Sequence, residues 1–387
     1  MRKTAATINW SRSRAEFPIT KHYVYFNHAA VSPLSTRVLS AMDRVSDGFL
    51  RKGILCEEEI FARVAAARAA AARLVGARSD EIAFTRNTTQ GVLIAANGIR
   101  WKRGDNVVMP AIEFPANVYP WMALAKRGVR IKLVQPRDGR VTAEMLSDAC
   151  TSRTRAVTAS FVQFSNGFRL DVEALGRFCR DRSIFFHVDG IQSLGMLRCD
   201  VRRMKIDFLS AGGHKWLLGP AGAGFFYCRG ELIEDLDLWN PGWTGVKNPW
   251  SFLDYDPTYR IDAKRYEEGS LNLCGISGLG ASIERFLEIG TANVEKRVLR
   301  LSVLLEKGLR ERGYRITSPR GKSERSGILC FLHPRKETEK LYATLSAARV
   351  VASLREGAIR FAPHFYNNEE EVERVLGLLK GRPIVSR

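Results

Sequence analysis

The sequence predicts an α/β protein: a large domain built on a mainly parallel, doubly wound sheet, plus a smaller C-terminal α+β domain. Three observations predict it. Between about residues 80 and 230, short apolar, β-rich runs alternate with helical patterns, as in a parallel sheet covered on both faces. After about residue 240 the texture changes to a Pro-, Gly- and Trp-rich stretch, then a long helical pattern and short strands. A length of 387 residues also exceeds the usual size of one domain.

In chain order, strands are expected at 81–85, 106–110, 130–134, 156–161, 184–189, 208–210 and 224–228. Helical periodicity fits 56–75, 89–97, 116–127, 142–149 and 172–182, with Asp171 as an N-cap. Residues 240–258 read as an irregular loop over a surface or cleft. A long helix over 276–309 breaks near Gly290, and strands at 315–318, 328–332 and 358–362 precede a final helix at 369–380. The expected division is 26–265 for the large domain, with 1–25 and 266–387 forming the smaller one.

Composition narrows the class. With 45% hydrophobic and 26% charged residues the chain is an ordinary globular protein. No apolar run approaches the roughly 18 residues of a membrane span. The N-terminus carries Arg2, Lys3, Arg12 and Arg14 but no apolar stretch like a signal peptide's, so a cytoplasmic location is expected. Seven cysteines lie scattered without a C-x-x-C pair, which suits neither a disulfide framework nor a zinc site, and no metal is expected. A formal charge of +19 raises a nucleic-acid-binding alternative. The arginines are nevertheless spread along the whole chain, and over 61–74 they alternate with alanines as on a solvated helix face. Nucleic acid is therefore not the expected partner.

Three segments carry chemistry. In Ser210-Ala211-Gly212-Gly213-His214-Lys215 a lysine follows a short strand among small and apolar neighbours, where burial favours its neutral, nucleophilic amine. A solvated loop lysine is the bland reading. The apolar strand ending at Asp189 leaves a carboxylate that is expensive to bury without a cation, and a protonated pyridine nitrogen would be such a cation. A helix N-cap is the plain alternative. Gln192 lies one helical turn later and can face the same ring. Thr88 and Thr89 stand at a strand-to-helix junction, where free N–H groups and hydroxyls can grip a phosphate or merely cap the helix. Two decoys fail. Gly321-Lys322-Ser323 has Ile316 where a phosphate-binding loop needs its upstream glycine, and Gly222-Ala223-Gly224 lacks the third glycine of a dinucleotide fingerprint.

The order Thr88-Thr89, Asp189-x-x-Gln192, then Ser210 through His214-Lys215 resembles the class-V aminotransferase group of fold-type I pyridoxal-phosphate (PLP) enzymes. That group includes cysteine desulfurases, selenocysteine lyases, isopenicillin N epimerase-like proteins and several transaminases. The likeness runs from Tyr25-Phe26-Asn27-His28-Ala29-Ala30 to Arg360 and Phe365-Tyr366-Asn367-Asn368. It implies PLP as cofactor, a Schiff base at Lys215 that also moves the Cα proton, and Asp189 on the pyridine nitrogen. It further implies Gln192 at the ring hydroxyl, Phe114 stacked on the ring, and a phosphate cup of Thr88, Thr89, Ser210 and His214. Arg360 would clamp the carboxylate of an amino-acid substrate, with nearby Arg355 as a competitor for the role, while Asn27, His28 and Ala29 would line its entrance. Ser270 would reach the phosphate of a partner subunit, which implies a homodimer. Departures matter for the reaction. The stretch 350–357 has no cysteine where desulfurases carry a nucleophile, so persulfide formation is not expected. Phe164 falls where the family often has an asparagine, with Gln163 or Asn166 as substitutes at the ring hydroxyl. The expected activity is aminotransferase-like, with a β-lyase or an epimerase as alternatives.

Overall fold

The computed structural model describes residues 8–380, so the stretches 1–7 and 381–387 of the expected smaller domain lie outside the described residues. A short strand, β1 (Val24–Tyr25), precedes a sheet of seven. These are β2 (Ile82–Thr85), β3 (Asn106–Pro110), β4 (Arg130–Val134), β5 (Thr154–Ser160), β6 (Phe185–Asp189), β7 (Phe208–Gly212) and β8 (Gly224–Cys228). Their spatial order is β2-β8-β7-β6-β5-β3-β4. Only β8 runs against its neighbours. Strands β2, β3, β7 and β8 are buried at every position, because helices cover both faces and exclude polar alternation. The edge strand β4 exposes Arg130 and Lys132, which discourages pairing with another chain.

Helices follow the expected pattern with four differences. The pattern over 116–127 folds as one α-turn, Tyr119–Met122, between 3₁₀ turns at Pro115–Asn117 and Ala123–Arg127. Pro115 and Pro120 lack the N–H donors a longer helix would need. Three helices were not expected, Thr36–Lys52, Trp10–Ala15 and Thr338–Ala347. The first is capped by Ser35, whose Oγ accepts from Val38 N–H. It packs with Glu57–Val75 against the helix Leu273–Ile289. Gly280 is needed there, since a Cβ would come within 2.5 Å of the Ala67 Cβ. Leu273–Ile289 thus joins the core of the large sheet, although the sequence reading groups it with the smaller domain.

A buried clamp fixes the chain just before that helix. Arg68 donates to both oxygens of Glu267 at 2.7 and 3.1 Å, and Glu267 Oε1 also accepts from Phe84 N–H on β2. Removing one member of such a pair costs roughly 3–5 kcal/mol, because the other is left as an uncompensated buried charge.

The C-terminal part forms a second core around Phe26, Leu301, Leu305, Phe331, Ile359 and Val375. Its strands are β9 (Arg315–Ile316), β10 (Leu329–Leu332), β11 (Val350–Val351), β12 (Ser353–Arg355) and β13 (Ala358–Phe361). Four of them make an antiparallel sheet in the order β12-β13-β10-β9, and β11 pairs in parallel with β1. Residues Glu356 and Gly357 close β12–β13 with φ of 47° and 70°. Two consecutive positive φ values match the twist of the strands, which makes the hairpin tight.

Candidate active site

In an open α/β sheet, ligands gather beyond the carboxyl ends of the strands. There β2 leads to Thr88, β3 to Phe114, β5 to Gln163, β6 to Asp189 and β7 to Lys215. The Arg360 strand, β13, faces this end from the smaller sheet and is tied to it, since Arg360 Nη1 donates to the Phe164 carbonyl at 2.6 Å.

Lys215 is buried, and its Nζ stands 5.1 Å from the centroid of the half-open Phe114 ring. Burial holds its pKa below the ordinary lysine value, with the cationic Arg360 and Arg355 acting the same way and Asp189 opposing them. Asp189 is only 1% exposed, and Ile191 N–H donates to its Oδ1 at 2.9 Å. Burial raises its carboxyl, the Ile191 bond and Lys215 pull it back, and Glu113 pushes it further up. No ion pair holds Asp189 among the described residues. Arg360 is 1% exposed, and its guanidinium meets the Phe164 carbonyl and Ser353 Oγ while Nε has no partner. Desolvation brings its pKa down to about 10. A buried amine, carboxylate and guanidinium within each other's field, none in a closed ion pair, fit a ligand that brings both an aldehyde-bearing cationic ring and a carboxylate.

The other expected residues divide. Thr88 lies at the first turn of the helix Thr88–Gly98, and its Oγ1 accepts from Gly212 N–H at 2.9 Å. Thr89 is half-buried beside it. His214 closes the same corner: a Cβ on Gly212 would lie 3.2 Å from His214 Nδ1 and 3.4 Å from Thr88 Oγ1. This leaves a cradle of N–H and hydroxyl groups suited to a phosphate. Ser210 is not part of it. Its hydroxyl lies beneath the helix, where a Cβ on Gly91 would come within 2.5 Å of Ser210 Oγ, and it bonds His187 Nε2 at 2.9 Å.

Gln192 accepts from Trp216 Nε1 and donates to the Ala29 carbonyl, which leaves one amide hydrogen for a ring hydroxyl. Asn166 gives both ends of its amide to its own neighbourhood, Gly139 O and Phe168 N–H. Gln163 is buried, with Nε2 on Glu113 and Oε1 without a partner. His28 does not line an entrance. It is fully buried, with Nδ1 on Ala362 O and Nε2 on Tyr366 OH, both at 2.7 Å. Ala29 is also buried and contributes its carbonyl, while half-buried Asn27 accepts from Ser353 Oγ at the rim of Arg360. Ser270 is exposed away from Lys215, in a cavity of about 530 Å³ with Phe61, Arg68, Trp243 and Trp250.

Sequence reasoning missed a buried polar relay. Thr158 donates to Asn117 Oδ1, so it accepts from His187 Nδ1–H, and the ring's other nitrogen accepts from Ser210. Burial keeps His187 neutral by lowering its pKa to about 3. Asn117 then donates to Glu113, which also accepts from Ser160 N–H, Ser160 Oγ and Gln163 Nε2. The relay holds the Gln163 amide nitrogen and leaves its buried oxygen without a partner. Only an odd histidine in an apolar strand hinted at it.

The chain matches the family described as aminotransferase class-V over residues 24–375. It is 33% identical over 298 residues to a probable cysteine desulfurase of Methanothermobacter thermautotrophicus, covering 75% of this chain and 73% of that one. It is 25% identical over 371 residues to an uncharacterised aminotransferase of Bacillus subtilis, covering 96% and 97%. An apo cysteine desulfurase structure from Thermococcus onnurineus superposes with a TM-score of 0.86 at 25% identity, over 97% and 98% of the two chains. With that coverage and the convergence of Lys215 and Asp189 at the strand ends, the chain belongs to the aminotransferase class-V family of PLP-dependent enzymes.

Proposed function

We propose that the protein labilises the Cα–H bond of an amino acid and carries it through an aminotransferase-like reaction, with Lys215 as covalent anchor and proton carrier. The observation that carries this reading is the set of buried, unpaired Lys215, Asp189 and Arg360. Bound PLP supplies an electron sink for the pair left at Cα. Asp189 holds the ring nitrogen protonated, Phe114 supports the ring face, and Thr88, Thr89 and His214 hold the phosphate. Gln163 and Gln192 orient the ring at its hydroxyl side. Arg360 binds the substrate carboxylate as a fork and thereby fixes the bond to be broken. Lys215, whose pKa burial lowers, takes the Cα proton.

A β-eliminating C–S lyase is the second reading, favoured by the relatives named cysteine desulfurases. Protein-bound persulfide does not fit. The β12–β13 hairpin carries no cysteine, and Cys330 is buried with burial raising its thiol to about 11. Epimerisation asks for a second base, and around Lys215 stand an aromatic ring and two guanidiniums instead.

Arg360→Ala tests the reading. The amino-acid concentration that half-saturates the spectral change of the loaded protein should rise by roughly ten- to a hundredfold, the worth of a charge-assisted bidentate contact. An unchanged titration removes Arg360 from the site.

A homodimer that shares its sites through Ser270 is part of the proposal. Exposed Leu50, Ile54, Leu55, Trp250, Phe252 and Leu253 support it as surface a partner would cover. Sedimentation of a monomer at micromolar concentration would remove it. A cytoplasmic location also remains a proposal; no helix among the described residues is long and apolar enough to cross a membrane. We place the boundary of the smaller domain near Gly290, after the helix that packs on the large core.

A further inference from the structure

We propose that Arg355 selects the substrate side chain, taking a second anionic group on the amino acid whose α-carboxylate Arg360 holds. The inference rests on the Arg360 reading above and adds the substrate class: amino acids with a carboxylate, sulfinate or similar anion on the side chain.

The register of the hairpin carries it. Ser353 pairs with Arg360 and Arg355 pairs with Ala358 across β12 and β13. Residues opposite one another, and residues two apart on one strand, share a face. Ser353, Arg355, Ala358 and Arg360 therefore project together, toward the side where Arg360 meets Ser353 Oγ and the Phe164 carbonyl. Ala358, directly opposite Arg355, has only a methyl group, so nothing on that strand covers the longer side chain. The two-residue turn at Glu356-Gly357 holds the pair in fixed register.

Two guanidiniums at diagonal positions on one face repel each other. Many arginines of this protein are matched to carboxylates, as in Arg37–Glu288 and Arg297–Glu369. Arg355 makes no ion pair among the described residues, not even with adjacent Glu356, and it is exposed where Arg360 is buried. The charges of both arginines reach Lys215. A buried fork beside the amine and an open fork further out on the same face match an amino acid with two anions. The α-carboxylate sits deep, and the side-chain anion sits toward the mouth.

The experiment titrates PLP-loaded protein with aspartate and with asparagine, which differ in charge and little in shape, following the cofactor spectrum and the heat of binding. Wild type should respond to aspartate at roughly ten- to a hundredfold lower concentration, the worth of one charge-assisted contact. Arg355→Gln should erase that preference by weakening aspartate alone, and Arg355→Lys should restore part of it in low salt. Equal titrations in wild type, or an equal shift of both amino acids in Arg355→Gln, would overturn the inference and show a solvated arginine only. An Arg360→Ala protein that binds both as before would overturn the carboxylate reading, and this inference with it. The melting temperature should not move, because Arg355 is exposed.

Discussion

Lys215→Ala is expected to yield a protein that no longer fixes PLP covalently. Borohydride treatment of the loaded wild type should add the reduced cofactor to the peptide containing Lys215, read by mass spectrometry. The variant should carry no such label at this or any other lysine. Its Cα–H exchange should fall by at least roughly 10²–10⁴-fold, the contribution of one positioned general base. The physical basis is burial: a lysine in the open would be protonated and too poor a nucleophile to hold an aldehyde, and Lys215 has neither solvent nor a closed ion pair to keep its charge. Folding should survive, since alanine removes a buried amine that no ion pair holds. A labelled lysine elsewhere would defeat the assignment.

Asp189→Asn is the second large effect, and it separates chemistry from stability. Asparagine keeps the shape of the side chain and can still accept from Ile191 N–H. It lacks the charge that holds a proton on the ring nitrogen. Exchange of the Cα hydrogen in deuterated water should fall by roughly 10²–10³-fold, the scale seen when one aimed electrostatic group is removed, while part of the cofactor binding remains. The protein without cofactor should melt at the same temperature or higher, because an uncompensated buried carboxylate is gone. Normal exchange would mean that Asp189 is not the partner of the ring.

The residues that announced the site are those whose chemistry clashes with their local surroundings. Lys215 among glycines and Asp189 at the end of an apolar strand stand out because burial of a lone charge is costly, and the structure places both at the strand ends. The strands were legible for a related reason: β3, β7 and β8 are covered on both faces and so read as unbroken apolar runs. What stayed hidden depended on direction. Ser210 is the right residue type for a phosphate cup, but two residues along a strand separate a side chain under the helix from the N–H at its tip. His28 and Asn166 are polar residues used by their own neighbourhood, which no spacing rule reveals. The helix over Thr36–Lys52 was missed because its apolar positions, Val38, Ala41 and Val45, form a sparse stripe among charges. Leu273–Ile289 has a clear period, yet its allegiance is set by the close approach of Gly280 to Ala67.

The tight turn at Glu356-Gly357 bears on where a leaving group travels. A two-residue reversal has no slack to swing a side chain from the Cα substituent out to the surface and back. Under the β-eliminating reading, the expelled group would therefore diffuse away as a small molecule in its own right. No thiol on this hairpin could ferry it to a docked acceptor, so under that reading the product is expected in the medium without a carrier protein.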